Sequence, residues 1–347
     1  MSKQSENDFQ SVNEIGRKEL QNKIKDICSS CLSKPDTTID YIGEDASSFY
    51  NEHDDNYDLR TNSVFCEGVD FDLTYHPIKH LGYKLTVATA SRILAMNGQT
   101  KGISVNVAVP NKISVPILED FYRGIVQFCN NYDIQITGFD IRAAQQFVVS
   151  INVFGSVGSE NISFRKGANV DDAICVSGDL GAAIAGLRIL LREKKYWKEQ
   201  ESAQFQPDLT EYEFVVQNQL LPEYRYELYK KMNELSIVPN AMTLISEGLV
   251  NDIYKITQAS GNGAFLYQAA LPIALPTRSV ADEMGTDVDK YALYGGEDFE
   301  LLFTIPKDNV KELSESFGDI TVIGKIEDSD GIIKMQTGEG EIIKFNT

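Results

Sequence analysis

Positive charge is scarce in this sequence. Its 347 residues include 32 Lys and Arg against 51 Asp and Glu, so the formal net charge is −19 and the isoelectric point is near 4.6. A nucleic-acid-binding protein usually carries a basic patch, and an anionic membrane surface would repel so acidic a chain. The composition therefore predicts a cytoplasmic protein with no nucleic-acid or membrane partner. Some of its carboxylates are candidates for holding Mg²⁺, whose charge would neutralise them.

Long apolar runs and paired cysteines are also lacking. No apolar run approaches the roughly 18 residues needed to span a bilayer, and the N-terminus MSKQSENDFQ has no apolar signal-peptide core. The five cysteines are scattered and odd in number, which argues against a disulfide framework. Cys28 and Cys31 form a CxxC without a second CxxC or a histidine pair. We expect two reduced helix cysteines there, with a metal or redox role as the alternative.

Strand-like and helix-like segments alternate along the chain. Residues 103–109 alternate apolar and polar side chains, as a strand does, and residues 116–131 are typical of a helix. A further strand is predicted at 134–137, ending at Gly138. This alternation predicts an α/β (α+β) protein. Because the composition turns polar near residue 159, the expected domains are 1–158 and 159–347.

The stretch from residue 61 to residue 98 is the most informative part of the chain. It begins as a strand with a following loop and continues as a long, mostly apolar helix predicted over 77–96, with Pro77 at the first helical position. Arg92 falls on the apolar face of this helix. Because burying an unpaired charge is costly, Arg92 is expected to find an acidic partner elsewhere in the chain.

Turns with glycine or acidic residues follow several predicted strands. Glycine lets backbone N–H groups approach phosphate oxygens, and carboxylates on neighbouring loops can hold Mg²⁺. Each turn alone is weak evidence, and no Walker loop, Rossmann glycine pattern or kinase HRD set is present. The four turns lie at residues 43–45, 138–140, 246–248 and 295–298.

In their order, these turns resemble those of thiamine-monophosphate kinases, in the superfamily of aminoimidazole ribonucleotide synthetase. The likeness runs from about residue 14 to residue 344. Its most specific stretches are EGVDFDLTYHPIKHLGYK at 67–84 with AMNG at 95–98, GDLGAAIAGLRIL at 178–190, and YALYGGEDFELLFTIP at 291–306.

The resemblance implies a homodimer in which N-terminal domains pair into a barrel-like interface and a C-terminal α/β domain packs across it. It further implies that ATP and thiamine monophosphate bind in the cleft with Mg²⁺. The γ-phosphoryl group would pass to the substrate phosphate and form thiamine diphosphate. Metal ions assist such a transfer by neutralising charge between the two phosphates.

Site residues follow from the resemblance position by position. None is assigned a catalytic role. The expected nucleotide contacts are Gly138, Asp140, Arg165 and Ser246. The expected substrate contacts are Asp70 and Glu297, and the expected metal ligands are Asp45, Asp140 and Glu247.

The sequence departs from the family at positions that bind metal or contact the substrate in its relatives. Ser63, Arg92 and Leu244 stand where the family has metal-binding aspartates, and Asp70 stands where it has a histidine. Two readings stay open: an ATP-dependent kinase with an altered metal site, and a catalytically inactive paralogue that keeps the fold and its ligand binding. A different phosphoryl-transfer substrate is a third possibility. If the charge of Arg92 replaces a cation, Arg92 should lie within salt-bridge reach of Asp45 or Asp140.

Overall fold

Two β-sheets organise the chain in this computed structural model, which describes residues 12–29, 39–40, 44–199 and 207–345. Gly43 of the first predicted turn and Cys31 of the CxxC lie outside the described residues. The first sheet has six strands in the order β1-β2-β3-β6-β4-β5. In chain order they are β1 (Ile39–Asp40), β2 (Ser47–Asn51), β3 (Asn56–Cys66), β4 (Gln99–Val109), β5 (Gln135–Ala143) and β6 (Val148–Gly158).

The second sheet has seven strands in the order β13-β12-β9-β11-β7-β10-β8. Its neighbours are antiparallel except for β12 beside β9. The strands are β7 (Ala173–Ser177), β8 (Ala241–Leu244), β9 (Gly263–Tyr267), β10 (Leu301–Ile305), β11 (Ile320–Glu327), β12 (Ile333–Gln336) and β13 (Ile342–Phe345).

Helices cover the sheets and connect their strands. Those preceding β7 are α1 (Val12–Ile15), α2 (Arg17–Ser29), α3 (Ile78–Leu94) and α4 (Val115–Asn131). Those following it are α5 (Ala182–Glu199), α6 (Glu213–Leu220), α7 (Tyr226–Glu234), α8 (Leu249–Ser260), α9 (Leu275–Glu283), α10 (Asp289–Tyr294) and α11 (Lys307–Ser316). No helix of the described residues is both long enough and apolar enough to cross a bilayer.

The first sheet has one covered and one open face. Along β3, β4 and β6, alternate residues such as Leu59, Val105 and Ile151 are fully buried beneath α3 and α4. The intervening residues, Val64 and Phe154 among them, point to the other face and are 60% and 40% exposed. Period-two alternation puts neighbours on a strand on opposite faces, so one face of this sheet is left open by the described residues of the single chain.

Helix α3 confirms the predicted helix and shows why it packs so closely. Pro77 is the N-cap and not the first helical residue, so the helix begins at Ile78, one residue later than predicted. A Cβ added to Gly82 would lie 2.1 Å from the carbonyl oxygen of Phe121, and one added to Gly124 would lie 1.9 Å from that of Lys79. Only glycine permits this close crossing of α3 and α4, because any larger residue would push the helices apart.

Several predicted boundaries were wrong. Strand β5 does not end at Gly138 but continues to Ala143, since it pairs with β4 along its whole length. From the apolar composition of residues 180–191 a helix is predicted to end near Leu191, but α5 extends to Glu199; helix α9 was not predicted. Tertiary contacts override local signals in each case. For β5, a lone glycine does not prevent pairing of an edge strand.

The two sheets share apolar packing. One core cluster includes Leu59 and Ile151 of the first sheet together with Leu244 and Phe303 of the second. The first sheet ends at Gly158. Because the two sheets share one apolar cluster, the division into domains 1–158 and 159–347 stays a prediction.

Candidate functional site

Asp45 and Arg165, predicted to bind metal and nucleotide respectively, form one buried ion pair. Arg165 Nη2 lies 3.0 Å from Asp45 Oδ1, and Arg165 Nε donates to Oδ2 at 3.3 Å. Thr243 Oγ1 also donates to Oδ2, at 2.7 Å, and Thr61 Oγ1 donates to the Asp45 carbonyl at 3.0 Å. Asp45 is only 5% exposed. Its carboxylate is therefore already neutralised and hydrogen-bonded from within the protein.

Glu44 strengthens this arrangement. Its Oε2 accepts from the Arg165 backbone N–H at 3.0 Å and lies 3.9 Å from Arg165 Nε. Burial by itself would lower the pKa of Arg165, but Asp45 and Glu44 outweigh burial and raise it. The guanidinium is thus permanently charged, as arginine normally is, and held by two carboxylates. Leu244 follows Thr243 in β8 and is buried, so it offers no ligand here.

Gly138 and Asp140 lie far from this ion pair, on the edge strand β5. Asp140 pairs with Asn106 in the β-ladder and so points to the open face, whereas Thr61 points to the helix-covered face. Three strand spacings separate β3 from β5, which amounts to roughly 14 Å. The Asp140 carboxylate is exposed and lies 3.3 Å from Arg142. Within one chain, Asp140 and Asp45 cannot bind the same ion.

Ser246 and Glu247 form the loop between β8 and α8. Both backbone N–H groups donate to Asp252 Oδ2 at 2.9 Å, so a carboxylate within the protein occupies the donors that a phosphate would need. Asp252 is fully buried, which raises its pKa, although Lys255 at 2.6 Å opposes that shift. The Glu247 side chain is half-exposed, 3.5 Å from Lys255.

The loop at residues 295–298 packs directly on this loop. Gly296 has φ +69°, and a Cβ there would lie 2.7 Å from the Ser246 carbonyl oxygen. The Glu297 backbone N–H donates to the same oxygen at 3.1 Å. The Glu297 carboxylate lies 2.8 Å from Nζ of Lys84, which is only 3% exposed. The structure thus brings together Ser246, Glu247 and Glu297, and anchors Glu297 to α3.

Asp70 is used within its own loop. Its Oδ2 accepts from the Cys66 backbone N–H at 2.7 Å, and its own N–H donates to the Cys66 carbonyl at 2.9 Å. These bonds close the turn after β3 and leave the carboxylate at the surface. A substrate contact by Asp70 stays a prediction.

The predicted partner of Arg92 was wrong. Across the described ranges, Arg92 forms no ion pair within 4 Å, and its buried Nε has no hydrogen-bond partner. Asp45 pairs with Arg165 and Asp140 with Arg142. The pattern of acids and bases in the sequence could not reveal that Arg165, more than 100 residues away, reaches Asp45 first.

No shared metal centre is formed by the predicted ligands. Within the described part of the chain, no three His, Cys, Asp or Glu side chains are grouped so that they could hold a metal ion. Asp45 is paired, Asp140 faces the opposite side of the sheet, and Glu247 lies in a different loop. Metal binding by these residues stays a prediction.

Sequence reasoning missed the structural use of the acidic residues at 298 and 300. Asp298 accepts from the backbone N–H groups of Gly181 and Ala183 at 2.9 and 3.2 Å, which holds the start of α5. Burial raises the pKa of Asp298 to about 7, against the opposing effect of these two bonds. The motif therefore preserves framework as well as a candidate ligand contact.

Glu300 is the centre of a second buried network. Both of its oxygens accept from Arg225 at 2.5 Å, and Ser177 also donates to it. Arg225 reaches Asp319 at 2.6 Å and is 7% exposed. The signal for this role was present in the sequence as an intact GGEDFE motif, but its arginine partner could not be identified from spacing.

A cavity of about 980 Å³ opens between the two sheets' helices and loops. The loop before α3 contributes Asp72, Tyr75 and His76, and the end of α5 contributes Lys194 and Trp197. His76 is 3% exposed, and neither ring nitrogen has a hydrogen-bond partner. Burial, followed by the charges of Lys84 and His80, lowers the pKa of His76 to about 3.

Comparisons with known proteins give a consistent result. Residues 43–157 match the family "AIR synthase related protein, N-terminal domain". The chain is 31% identical to the thiamine-monophosphate kinase of Aquifex aeolicus over 274 residues, 79% of this chain and 83% of that protein. It is 30% identical to the thiamine-monophosphate kinase of Pyrococcus abyssi, over 72% of each chain.

Solved structures agree with these sequence matches. AaThiL complexed with AMPPCP and TMP superposes with a TM-score of 0.80 at 28% identity, covering 98% of this chain and 100% of that one. A hydrogenase maturation protein HypE in complex with ATP shares the fold, with a TM-score of 0.64 at 16% identity, covering 96% and 95% of the two chains. The predicted family and the predicted fold class are both confirmed.

Proposed function

The chain belongs to the thiamine-monophosphate kinase family, and from that premise we propose that it binds ATP and thiamine monophosphate but transfers the phosphoryl group slowly or not at all. The first part of the proposal is supported by its likeness to AaThiL, which is complexed with AMPPCP and TMP. The second part is supported by the chain's own residues.

The proposal of weak phosphoryl transfer depends on one observation: Arg165 forms an ion pair with the Asp45 carboxylate. Phosphoryl transfer depends on cations that neutralise charge between donor and acceptor phosphates. For Asp45 to bind Mg²⁺, Arg165 would have to leave a site where it is held at 3.0 Å and largely buried. Removing one member of a buried ion pair costs about 3–5 kcal/mol. Metal binding would have to exceed that cost.

The predicted Mg²⁺ ligands do not fit a single ion within one chain. The Asp45 carbonyl is hydrogen-bonded to Thr61 of β3, and β3 lies three strand spacings, roughly 14 Å, from the strand β5 that carries Asp140. Thr61 and Asp140 face opposite sides of the sheet. Leu244 and Arg92 cannot donate to a cation. These residues therefore do not form one magnesium site within a single chain.

We also propose that the chain is a homodimer through the open face of the first sheet. Val64 and Phe154 are exposed there, beside a depression of about 590 Å³ that includes Asn62, Ser104 and Asn152. A second copy covering this face would bury both apolar side chains. It is also the arrangement in which Asp140, which points from this face, can act together with residues of another chain.

Sedimentation tests the dimer directly. Phe154→Arg places a charge on the open face and should shift the protein towards monomer. Val115→Arg, at a position that is 71% exposed at the start of α4, is the matched control and should leave the mass unchanged. A wild-type protein that is monomeric at concentrations well above those used for binding would overturn this proposal.

An assay of phosphoryl transfer tests the main proposal. The purified protein is incubated with ATP, Mg²⁺ and thiamine monophosphate, and ADP and thiamine diphosphate are quantified separately, with the Aquifex aeolicus relative as the positive control. We expect little or no thiamine diphosphate, while calorimetry detects binding of both ligands. Turnover comparable to that of the relative would overturn weak transfer, and failure to bind either ligand would overturn the whole proposal.

Restoring the aspartates sharpens this test. The triple variant Ser63→Asp, Arg92→Asp, Leu244→Asp should gain Mg²⁺-dependent turnover if lost ligands limit the reaction. Because Leu244 is buried, circular dichroism must first establish that the variant folds. Ser63→Asp alone, at a partly exposed position, is the version with the least structural risk.

A second candidate is an ordinary thiamine-monophosphate kinase, and the anchoring of Glu297 favours it. Glu297 has φ +58° and is held by Lys84 at 2.8 Å. A non-glycine residue in this region is strained, and such strain is often kept at ligand sites. The same assay distinguishes the candidates, because only this one predicts thiamine diphosphate at a rate that Glu297→Gln reduces.

A further inference from the structure

A second cavity, of about 350 Å³, lies at the end of the first sheet that is remote from the Asp45 ion pair. Asn56 lines this cavity, whereas Thr61, farther along the same strand β3, donates to the Asp45 carbonyl. Five residues of a strand span roughly 17 Å. The cavity is therefore separate from the candidate functional site.

Two buried amide oxygens at this cavity lack a donor. Asn56 and Asn97 both line it, and within the described ranges the Oδ1 atom of each has no hydrogen-bond partner. Asn97 is only 2% exposed, and its Nδ2 donates to the Asn161 carbonyl at 2.8 Å. Since Oδ1 and Nδ2 share one carbon, the unpaired oxygen lies beside that bond. A buried acceptor without a donor costs free energy, so a ligand that binds oxygen is expected here.

Two carboxylates of the turn between β2 and β3 add to this set of oxygens. Asp54 and Asp55 line the same cavity. Asp54 Oδ2 accepts from Asn51 at 3.0 Å, and Asp55 Oδ1 accepts from the Tyr50 hydroxyl at 2.9 Å. Hydrogen bonds from Ser159 and Tyr50 lower the pKa of Asp55, so this carboxyl is ionised near pH 7.

The composition of the lining favours a cation. It includes two carboxylates and five amide side chains, but no lysine, arginine or histidine of the described residues. Ca²⁺ takes roughly six to eight oxygens from carboxylates, amide side chains, backbone carbonyls and water. Because amide oxygens serve as ligands, no third carboxylate is needed. Mg²⁺ demands near-ideal octahedral geometry and keeps its waters, so oxygens from separate segments suit Ca²⁺ better.

We propose that this cavity binds Ca²⁺ as a structural ion, held by Asn56, Asn97 and the carboxylates of Asp54 and Asp55. The ion ties the turn between β2 and β3 to the segment between α3 and β4. Asn233 of α7 lines the same cavity, so the ion lies where the first sheet meets a helix of residues 159–347. A ligand that binds only the folded state stabilises it. This role is independent of phosphoryl transfer and of its ligands.

Calorimetry on the metal-free protein measures this binding directly. The full chain is treated with a chelator, dialysed and titrated with Ca²⁺, and in parallel with Mg²⁺ and K⁺. We expect one Ca²⁺ per chain, bound at least about tenfold more tightly than Mg²⁺, and a higher Tm when Ca²⁺ is present. Equal affinity for Ca²⁺ and Mg²⁺, or no binding of Ca²⁺, would refute the inference. Water would then be the partner of the two amide oxygens.

Asn97→Gly removes one ligand while keeping the backbone. Asn97 has φ +54°, a conformation that glycine adopts without strain. We expect the affinity for Ca²⁺ to fall at least about tenfold, and the rise in Tm with Ca²⁺ to disappear. Glu52→Gln is the matched control, because it removes a charge from the same turn at a residue that does not line the cavity. It should change neither quantity.

Asp54→Asn tests the contribution of charge separately. Asp54 is exposed, so the fold should survive, and the affinity for Ca²⁺ should fall while the Tm without Ca²⁺ stays the same. If Asn97→Gly and Asp54→Asn both bind Ca²⁺ as tightly as the wild type, the ion binds elsewhere on this acidic chain and the inference is wrong. An equal loss of affinity in Glu52→Gln would also contradict it, since only the overall charge would then matter.

Discussion

The loop at residues 295–300 and the Asp45 region differ in how their charges are used. In the loop, Asp298 and Glu300 hold α5 and Arg225, and the family motif is intact. Asp45, which the resemblance assigns to metal binding, is paired with Arg165. The other metal-binding aspartates of the family are replaced here by Ser63, Arg92 and Leu244. The two acidic residues of the loop that hold neighbouring elements, Asp298 and Glu300, are kept. The comparison teaches that an intact motif can reflect structural demand and need not reflect chemistry.

The largest effect is expected at Glu300. Glu300→Ala leaves the buried Arg225 without its two-oxygen partner, so we expect a loss of about 4 kcal/mol in the free energy of unfolding. Urea denaturation measures it. Glu223→Ala removes an exposed partner of the same arginine and should cost less than about 1 kcal/mol. Similar values for the two variants would contradict a framework role for Glu300.

Asp45→Ala should also destabilise the fold, by about 3 kcal/mol, because Arg165 loses the carboxylate 3.0 Å away and keeps Glu44 at 3.9 Å. The exposed Asp58→Ala is the control and should be nearly neutral. If Asp45→Ala is fully stable but loses Mg²⁺-dependent ATP binding, Asp45 is a metal ligand. The Asp45 region would then use its charge for ligand binding and not for pairing with Arg165.

Substitution of Lys84 and substitution of Glu297 should lower the free energy of unfolding by different amounts. Lys84 is buried, whereas the Glu297 side chain is 43% exposed. Glu297→Ala leaves a buried cation and should cost about 2–3 kcal/mol, while Lys84→Met leaves a solvated carboxylate and should cost about 1 kcal/mol. Thermal or urea unfolding measures both. The reverse order would mean that Glu297, and not Lys84, is the buried member in solution.

Acid should weaken the fold through His76. Its folded pKa is lowered to about 3, whereas an unfolded histidine titrates near 6.5. The unfolded state therefore binds more protons between these values, and stability is lost as pH falls from about 6.5 towards 3, by up to about 1.4 kcal/mol per pH unit. His76→Gln should flatten this part of the profile, and the exposed His53→Gln should not. Identical profiles for wild type and His76→Gln would show that the ring is solvated.

The smallest effect is expected at Asp140. Its partner Arg142 is 79% exposed, so Arg142→Ala should change stability by less than about 0.5 kcal/mol. Asp140→Asn should likewise leave the unfolding curve unchanged. A large loss of ATP affinity in Asp140→Asn without loss of stability would sharpen the comparison, because it would place ligand binding on the open face.

Much of the fold was predictable because it depends on local patterns. The periodicity of α4 and the alternation along β4 each reflect one buried face, which a sequence records directly. Strand β5 beyond Gly138 and the full length of α5 depend on pairing and packing with distant segments. Their local signals were too weak to reveal the correct ends.

The candidate site divides in the same way. Motif order identified the family and placed Ser246, Glu247 and Glu297 in loops that the fold does bring together. It could not show that Asp45 would pair with Arg165, or that Asp252 would accept from the N–H groups of the Ser246 loop. Nor could it show that Arg92 would form no ion pair with a carboxylate of the described residues. Each depends on which side chain is nearest in space, and spacing along the chain does not encode that.

The sequence by itself determined the family, the α/β class and the places where aspartates are missing, because these are properties of residue identity and order. Only the tertiary structure decided what the remaining charges do. Buried charges pair with the nearest opposite charge that folding provides, so Asp45 meets Arg165, Glu297 meets Lys84, and Lys194 lies over Tyr75 beside Asp72. The cost of burying an unpaired charge is the physical reason that these partners had to exist, and the fold selected them.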